Sequence, residues 1–156
     1  MLGLLKEKNI IFKIAGSGAS LNNPDVKALF DQYGLDEKKV HLLDQVKDMP
    51  TFYQSIDAFL MTSITEGFPN VLVEAMASGL PCISTDVGDA KYIIQDIGSI
   101  VPPRNAQALA DAVLNYVNQT ILEKQALKQA ARERIEQNFS IEKVSEQYKE
   151  LWKLKR

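Results

Sequence analysis

The segment from residue 58 to residue 85, AFLMTSITEGFPNVLVEAMASGLPCIST, decides the fold. Its ends are short apolar runs, 58–61 and 81–85, and each predicts a β-strand. Between them residues 70–78 predict a helix that ends before Gly79. A strand, a helix and a second strand in this order predict a right-handed crossover between two parallel strands.

The same alternation continues on both sides of this unit. Further strands are predicted at residues 10–15, 40–43 and 99–101. Helices are predicted after the first two of these, with Asn23 and Asp48 at their starts. The strands are uniformly apolar, which is typical of a sheet covered on both faces. We therefore expect an α/β fold, a Rossmann-like parallel sheet with helices on both faces, followed by a helical C-terminus capped at Asn105 and Ser140.

Composition narrows the classes of function. At 156 residues the chain fits one domain, residues 1–156. The net charge of −2 predicts no attraction to nucleic acid. A single cysteine, Cys82, excludes an internal disulfide and favours a reducing compartment such as the cytoplasm. With His41 as the single histidine, a zinc site and a cysteine–histidine hydrolase are both disfavoured.

The carboxyl ends of the strands are where such sheets bind ligands. Four loops are expected to share that rim: residues 16–18, 44–48, 62–70 and 86–89. The Gly16-Ser17-Gly18 turn lacks the third glycine of a dinucleotide fingerprint, so by itself it reads as an ordinary turn.

Two carboxylates in the third loop and its helix carry the clearest signal. Glu66 lies in the loop, and Glu74 lies in the helix with seven residues between them. At the helix tip, free N–H groups of Asn70, Val71 and Leu72 would favour an anion such as phosphate. Glu74 lies ~6 Å further along the same face, which suits a ribose diol.

The residues alone leave the role of Glu74 open. Apolar neighbours on every side predict that its helix is largely buried, and a buried carboxylate needs a hydrogen-bond donor. That donor can be a ligand or another part of the chain, and Glu74 can also be a solvated helix residue. His41 is more often structural, and Cys82 reads as an inert small hydrophobe. Four cations near the C-terminus predict a solvated helix face rather than a membrane contact: Lys149, Lys153, Lys155 and Arg156.

From Glu66 to Ala77 the chain resembles the retaining, nucleotide-sugar-dependent glycosyltransferases of family 4, also called group 1 glycosyltransferases. The two glutamates match the E-x7-E element of that family. The resemblance runs from about Ile11 to the C-terminus and includes residues 14–18, 40–44, 56–60, 85–89 and 101–105.

The resemblance implies a two-domain GT-B enzyme, of which residues 1–156 match the C-terminal, donor-binding domain. The implied donor is a UDP-, GDP- or ADP-sugar, whose hexosyl group is transferred to a polysaccharide, lipid or glycoconjugate. No metal or cofactor is implied, and a peripheral membrane contact through the full-length enzyme stays open. By resemblance, catalytic Glu66 contacts the transferred sugar, and the donor-binding residues are Gly16, Val46, Gly67, Phe68, Pro69, Asn70, Val71 and Glu74.

The chain departs from the family pattern in two places. Asp44 stands where the family usually has glycine, close to the expected contact with the base. The family's donor domain also begins with a central strand and a loop carrying Arg and Lys, which should precede residues 4–8. We therefore expect a fragment with a gap in its sheet, without its N-terminal acceptor domain and with little or no transferase activity alone. A non-catalytic nucleotide-binding or interaction module and a sugar-nucleotide epimerase-like domain are the alternatives.

Overall fold

The computed structural model describes residues 1–153, so Lys155 and Arg156 lie outside the described residues. The five strands are β1 (Phe12–Ile14), β2 (Val40–Leu42), β3 (Phe59–Met61), β4 (Cys82–Thr85) and β5 (Ser99–Val101). The helices are α1 (Leu2–Leu5), α2 (Pro24–Tyr33), α3 (Met49–Gln54), α4 (Asn70–Ala77), α5 (Ala90–Ile94), α6 (Ala106–Val117), α7 (Ile121–Asn138) and α8 (Ile141–Lys153), with a 3₁₀ turn at Gln95–Ile97.

All strand pairs are parallel, as the alternation of strands and helices predicts. The strands form two sheets, β1–β2 and β3–β4–β5, where the sequence pattern alone suggested one. An open groove of about 1910 Å³ lies between the sheets and is lined by residues of β1 and β3. Since β1 and β3 do not pair with each other, the gap expected from the resemblance is confirmed.

Burial of the strands follows from this division. β4, the central strand of the larger sheet, is buried along its whole length. β1 is half-buried throughout, and Ile11 just before it is exposed. β1 is thus less buried than β4, because one edge of β1 faces the groove and not a neighbouring strand.

The core has two parts. The larger cluster joins α3, α4, α5 and α7 beneath the three-stranded sheet, with Leu72, Met76, Ile93 and Ile94 at its centre. The smaller cluster joins α1 and α6 on the other side of β4 and β5. Helices thus cover both faces of the larger sheet, which confirms the predicted α/β, Rossmann-like class.

Local sequence signals place the helix ends correctly. Asn23, Asp48 and Asn105 each accept a hydrogen bond from a backbone N–H of the first turn, as predicted. Ser140 does the same at the start of α8, with its hydroxyl 3.3 Å from a backbone nitrogen. Gly34 ends α2 with φ at 58°, a left-handed conformation that glycine adopts without strain.

The C-terminal helices are long and increasingly exposed. α8 has no buried residue in its described length, and Lys149 and Lys153 are exposed, in agreement with a solvated face. Its apolar side chains are exposed too, and Trp152 is 72% accessible. None of the helices within residues 1–153 combines the length and apolar character needed to span a membrane.

Two leucines at opposite extremes of exposure test this account of the core. Leu72 of α4 is fully buried, whereas Leu122 of α7 is 77% exposed. Leu72→Ala leaves a cavity and should lower the free energy of unfolding by about 2–5 kcal/mol. Leu122→Ala, the same change in another helix, should alter it by no more than about 0.5 kcal/mol. Urea unfolding measures both, and equal losses would contradict the described packing.

Candidate functional site

The loops after β1 and β2 are joined to each other by backbone and side-chain hydrogen bonds. The Gly16 N–H donates to the Asp44 carbonyl oxygen at 2.8 Å. The Gly18 N–H donates to the Asp44 carboxylate, also at 2.8 Å. The structure thus brings the glycine turn and the second loop together on one rim, as predicted.

At Asp44, where the resemblance predicts glycine, the backbone takes a conformation that usually favours glycine. Its φ of 50° lies in the left-handed region, which aspartate tolerates better than most side chains. The carboxylate then secures the Gly18 amide, a contact that glycine cannot make. The substitution therefore keeps the backbone path and adds a link between the two loops.

The loop between β3 and α4 rests on the turn that follows β4. The buried Thr85 hydroxyl donates to the Ser63 carbonyl oxygen at 2.7 Å. The Asp89 N–H donates to the Gly67 carbonyl oxygen at 2.9 Å. These two bonds fix both ends of the segment that carries Glu66, and the third and fourth predicted loops therefore share the rim.

Gly88 permits this close approach. Its φ is 51°, and a Cβ built there would overlap the Gly67 carbonyl oxygen and lie 2.7 Å from the Glu66 carbonyl oxygen. A side chain would therefore push the Glu66–Gly67 backbone away from the turn. Gly88 lies in a loop that the sequence predicts at the rim, but this contact joins residues about twenty positions apart and has no local sequence signal.

Glu66 lies on the exposed lip of the loop. Its carboxylate accepts a hydrogen bond from the Ser63 hydroxyl at 2.7 Å, which orients the side chain within its own loop. The flanking Thr65 and Gly67 are also exposed. The carboxylate is thus held from one side and open to solvent on the other.

The tip of α4 differs in one detail from the prediction. The N-cap residue Pro69 has no side-chain acceptor, so no side chain caps the first backbone amides of the helix. The Leu72 N–H donates to the Pro69 carbonyl oxygen at 3.0 Å and is not free, since the first turn is tightened. For the Asn70 and Val71 amides, residues 1–153 supply no acceptor. The predicted set of three free amides is therefore reduced to two.

Glu74 is exposed, and its helix, which the apolar neighbours predict to be largely buried, is buried on one face only. Leu72, Ala75 and Met76 are buried, but Val71 is 38% exposed because it shares the open face with Glu74. One carboxylate oxygen, Oε2, accepts a hydrogen bond at 3.0 Å from the hydroxyl of buried Tyr53. The sequence left open whether Glu74 has a ligand or another part of the chain as its hydrogen-bond donor. The chain supplies that donor for Oε2.

Phe68 and Pro69 occupy different environments although they are adjacent. Phe68 is exposed, and its ring centroid lies 6.0 Å from that of Phe139, at the end of α7. Phe139 in turn stacks edge-on with Tyr92, and the Arg134 guanidinium lies over both rings. Pro69 is buried beneath the loop. The Phe68 side chain is thus supported from the C-terminal helices.

The two outer members of the predicted set lie on the other half of the rim. Val46 is half-buried and packs against the larger core cluster. Gly16 has a φ of 153° and open space where a side chain would be. Neither residue is hydrogen-bonded to the Glu66–Glu74 segment in the described structure.

His41 and Cys82 fit structural roles. The His41 Nε2 atom lies 3.2 Å from the Lys38 carbonyl oxygen. Cys82 is buried, and burial raises the pKa of its thiol, which opposes thiolate chemistry. Over the described length of the chain, no three His, Cys, Asp or Glu side chains are grouped so that they could hold a metal ion.

A model of the family "Glycosyl transferases group 1" matches residues 1–119. The chain is 24% identical over 144 residues to an Escherichia coli UDP-Gal:α-D-GlcNAc-diphosphoundecaprenol α-1,3-galactosyltransferase, a match that covers 91% of this chain and 36% of that enzyme. The chain therefore spans just over a third of the length of this relative.

Solved structures share the fold. A sucrose-phosphate synthase from Thermosynechococcus elongatus superposes with a TM-score of 0.82 at 24% identity, over 97% of this chain and 40% of that one. Anabaena HepE in complex with UDP-glucose superposes with a TM-score of 0.81 at 22% identity, over 97% and 43%. These matches confirm the predicted GT-B, Rossmann-like fold class.

Gly88→Ala tests whether the turn after β4 positions the loop of Glu66. The added methyl group meets backbone and requires a strained φ, so the free energy of unfolding should fall by about 1–3 kcal/mol. Gly67→Ala is the matched control, because nothing lies within 4 Å of a Cβ there. Urea unfolding compares the two variants. An equal, small effect of both substitutions would show that the close packing of loop and turn is wrong.

Proposed function

Because the chain belongs to the family of group 1 glycosyl transferases, we propose that it binds the donor of a hexosyl transfer, a UDP-, GDP- or ADP-sugar. We further propose that the transfer is retaining, as in family 4, and that these residues are the donor-binding part of a longer enzyme. Glu66 contacts the transferred sugar and is the catalytic residue of the set.

The observation that carries this proposal is the open face of α4. The amides of Asn70 and Val71 have no acceptor within residues 1–153, and Glu74 lies on the same side of the helix one turn later. Glu66 precedes the tip on an exposed loop that is fixed at both ends. Two free donors between two carboxylates suit a ligand with an anionic centre and a hydroxylated group at each end.

The diphosphate belongs at the helix tip. Free N–H groups and the positive end of the helix dipole stabilise anionic oxygens there. The leaving diphosphate gains negative charge in the transition state, so amides already in place stabilise that state more than the bound donor. In the proposed reaction these amides, and not a metal ion, stabilise the leaving diphosphate.

The two carboxylates bind the hydroxylated groups at the two ends of the donor. Glu74 accepts hydrogen bonds from the ribose, and Glu66 accepts them from the transferred sugar. Gly67, Phe68, Pro69 and Asn70 line the sugar, with the Phe68 ring held by Phe139. Val46 lies near the base, and Gly16 completes the rim on the diphosphate side.

Among the three nucleotides, UDP is the first to test. The curated relative named above uses UDP-Gal, and Anabaena HepE was solved with UDP-glucose. Both proteins are much longer than this chain, so acceptor binding is assigned to residues outside it. We accordingly expect little or no transfer by residues 1–156 alone. The acceptor of the whole enzyme would be a polysaccharide, lipid or glycoconjugate, consistent with a cytoplasmic enzyme that works at or near a membrane surface.

Calorimetry with UDP, GDP and ADP tests the proposal on the chain as it stands. We expect binding of at least one of the three, and Glu74→Ala should weaken it at least about tenfold, because it removes a charged acceptor of ribose hydrogen bonds. Glu136→Ala is the matched control, since Glu136 is an exposed helical glutamate on α7. Absence of binding, or equal affinity in both variants, would contradict the donor site.

A further inference from the structure

Glu74 is held by a side chain to which the sequence pattern gave no role. Tyr53 lies in α3, and its hydroxyl donates to Glu74 Oε2 at 3.0 Å across a separation of 21 residues. Tyr53 is only 2% exposed, yet the carboxylate that it contacts belongs to an exposed residue. The hydrogen bond therefore runs from the core to the surface of the candidate site.

The tyrosine ring is fixed on its other sides. It meets Phe59 edge-on with ring centroids 5.9 Å apart, and Phe52 at 6.0 Å. A ring in such a setting does not change rotamer without moving its neighbours. The hydroxyl is consequently a fixed reference point for the flexible carboxylate.

Burial, and then the hydrogen bond to the Glu74 carboxylate, raise the pKa of the Tyr53 phenol. The hydroxyl therefore stays protonated at neutral pH and donates the hydrogen bond. The carboxylate can accept this bond on Oε2 and still has the lone pairs of Oε1. Within residues 1–153 no side chain or backbone group donates to Oε1.

We propose that Tyr53 is a positioning residue: it anchors Oε2 of Glu74 so that Oε1 is presented to a ribose hydroxyl of the donor. This inference rests on the proposed function. A free glutamate side chain loses rotamer freedom when it binds a ligand, and this loss of entropy lowers the affinity. Tyr53 removes part of that cost before the ligand arrives, because the carboxylate is already oriented.

Tyr53→Phe tests the inference by removing only the hydroxyl while the ring stays in place. The measured quantity is the ratio of affinities for UDP and for its 2′,3′-dideoxy analogue, which isolates the ribose contact from the diphosphate contact. We expect the wild-type chain to prefer UDP about tenfold, and Tyr53→Phe to reduce that preference to about twofold or less. Binding of the dideoxy analogue should be unchanged.

Tyr116→Phe is the matched control. Tyr116 is half-buried, and its hydroxyl donates to the Asp57 carbonyl oxygen at 2.8 Å, away from α4. This variant should keep the full preference for UDP. A preference retained in Tyr53→Phe would overturn the role of Tyr53 and leave the donor site standing. A wild-type chain that binds both nucleotides equally, or neither, would overturn the ribose contact itself and this inference with it.

A measurement without ligand covers the case in which Tyr53→Phe is poorly folded. Three-bond NMR couplings report whether the Glu74 side chain occupies one χ1 rotamer in the free wild-type protein. Anchoring predicts one dominant rotamer for Glu74 and averaged rotamers for exposed Glu136. Averaging at Glu74 equal to that at Glu136 would overturn the inference.

Discussion

The burial of one face of α4 is the constraint on which the candidate site depends. Leu72, Ala75 and Met76 are inserted into the larger core cluster, and this leaves the helix a single orientation. The opposite face must then carry the Val71 and Glu74 side chains toward solvent. Because the helix start is fixed as well, its tip amides face the rim formed by the loops. A hydrophobic contact thus sets the direction of a polar surface.

Much of this arrangement follows from local sequence signals. Apolar runs fix the strands, and Asn23, Asp48 and Asn105 fix where helices begin. The parallel topology then places the loops at one rim, since parallel strands end on the same side. The E-x7-E spacing adds the position of Glu66 and Glu74. These features need only interactions between residues close in sequence, together with the handedness of the crossovers.

The remaining features depend on contacts between distant residues. The sequence did not predict which face of α4 is buried. Six apolar residues surround Glu74, and the sequence does not distinguish those that point inward from those that are exposed. The Tyr53–Glu74 hydrogen bond and the packing of Gly88 on Gly67 join elements that share no local pattern. In the same way, Asp44 keeps a left-handed backbone without glycine because its carboxylate gains a partner in another loop. Such effects depend on where elements meet in space.

The proposed donor site joins the tip of α4 to the carboxylates of Glu66 and Glu74. Titration of the isotope-labelled chain with UDP, followed by two-dimensional amide NMR, tests it most directly. If UDP binds at this tip, the largest shifts occur at the backbone amides of Asn70 and Val71, and smaller shifts extend from Gly67 to Glu74. Shifts confined to the groove between the two sheets, with α4 unchanged, would contradict it.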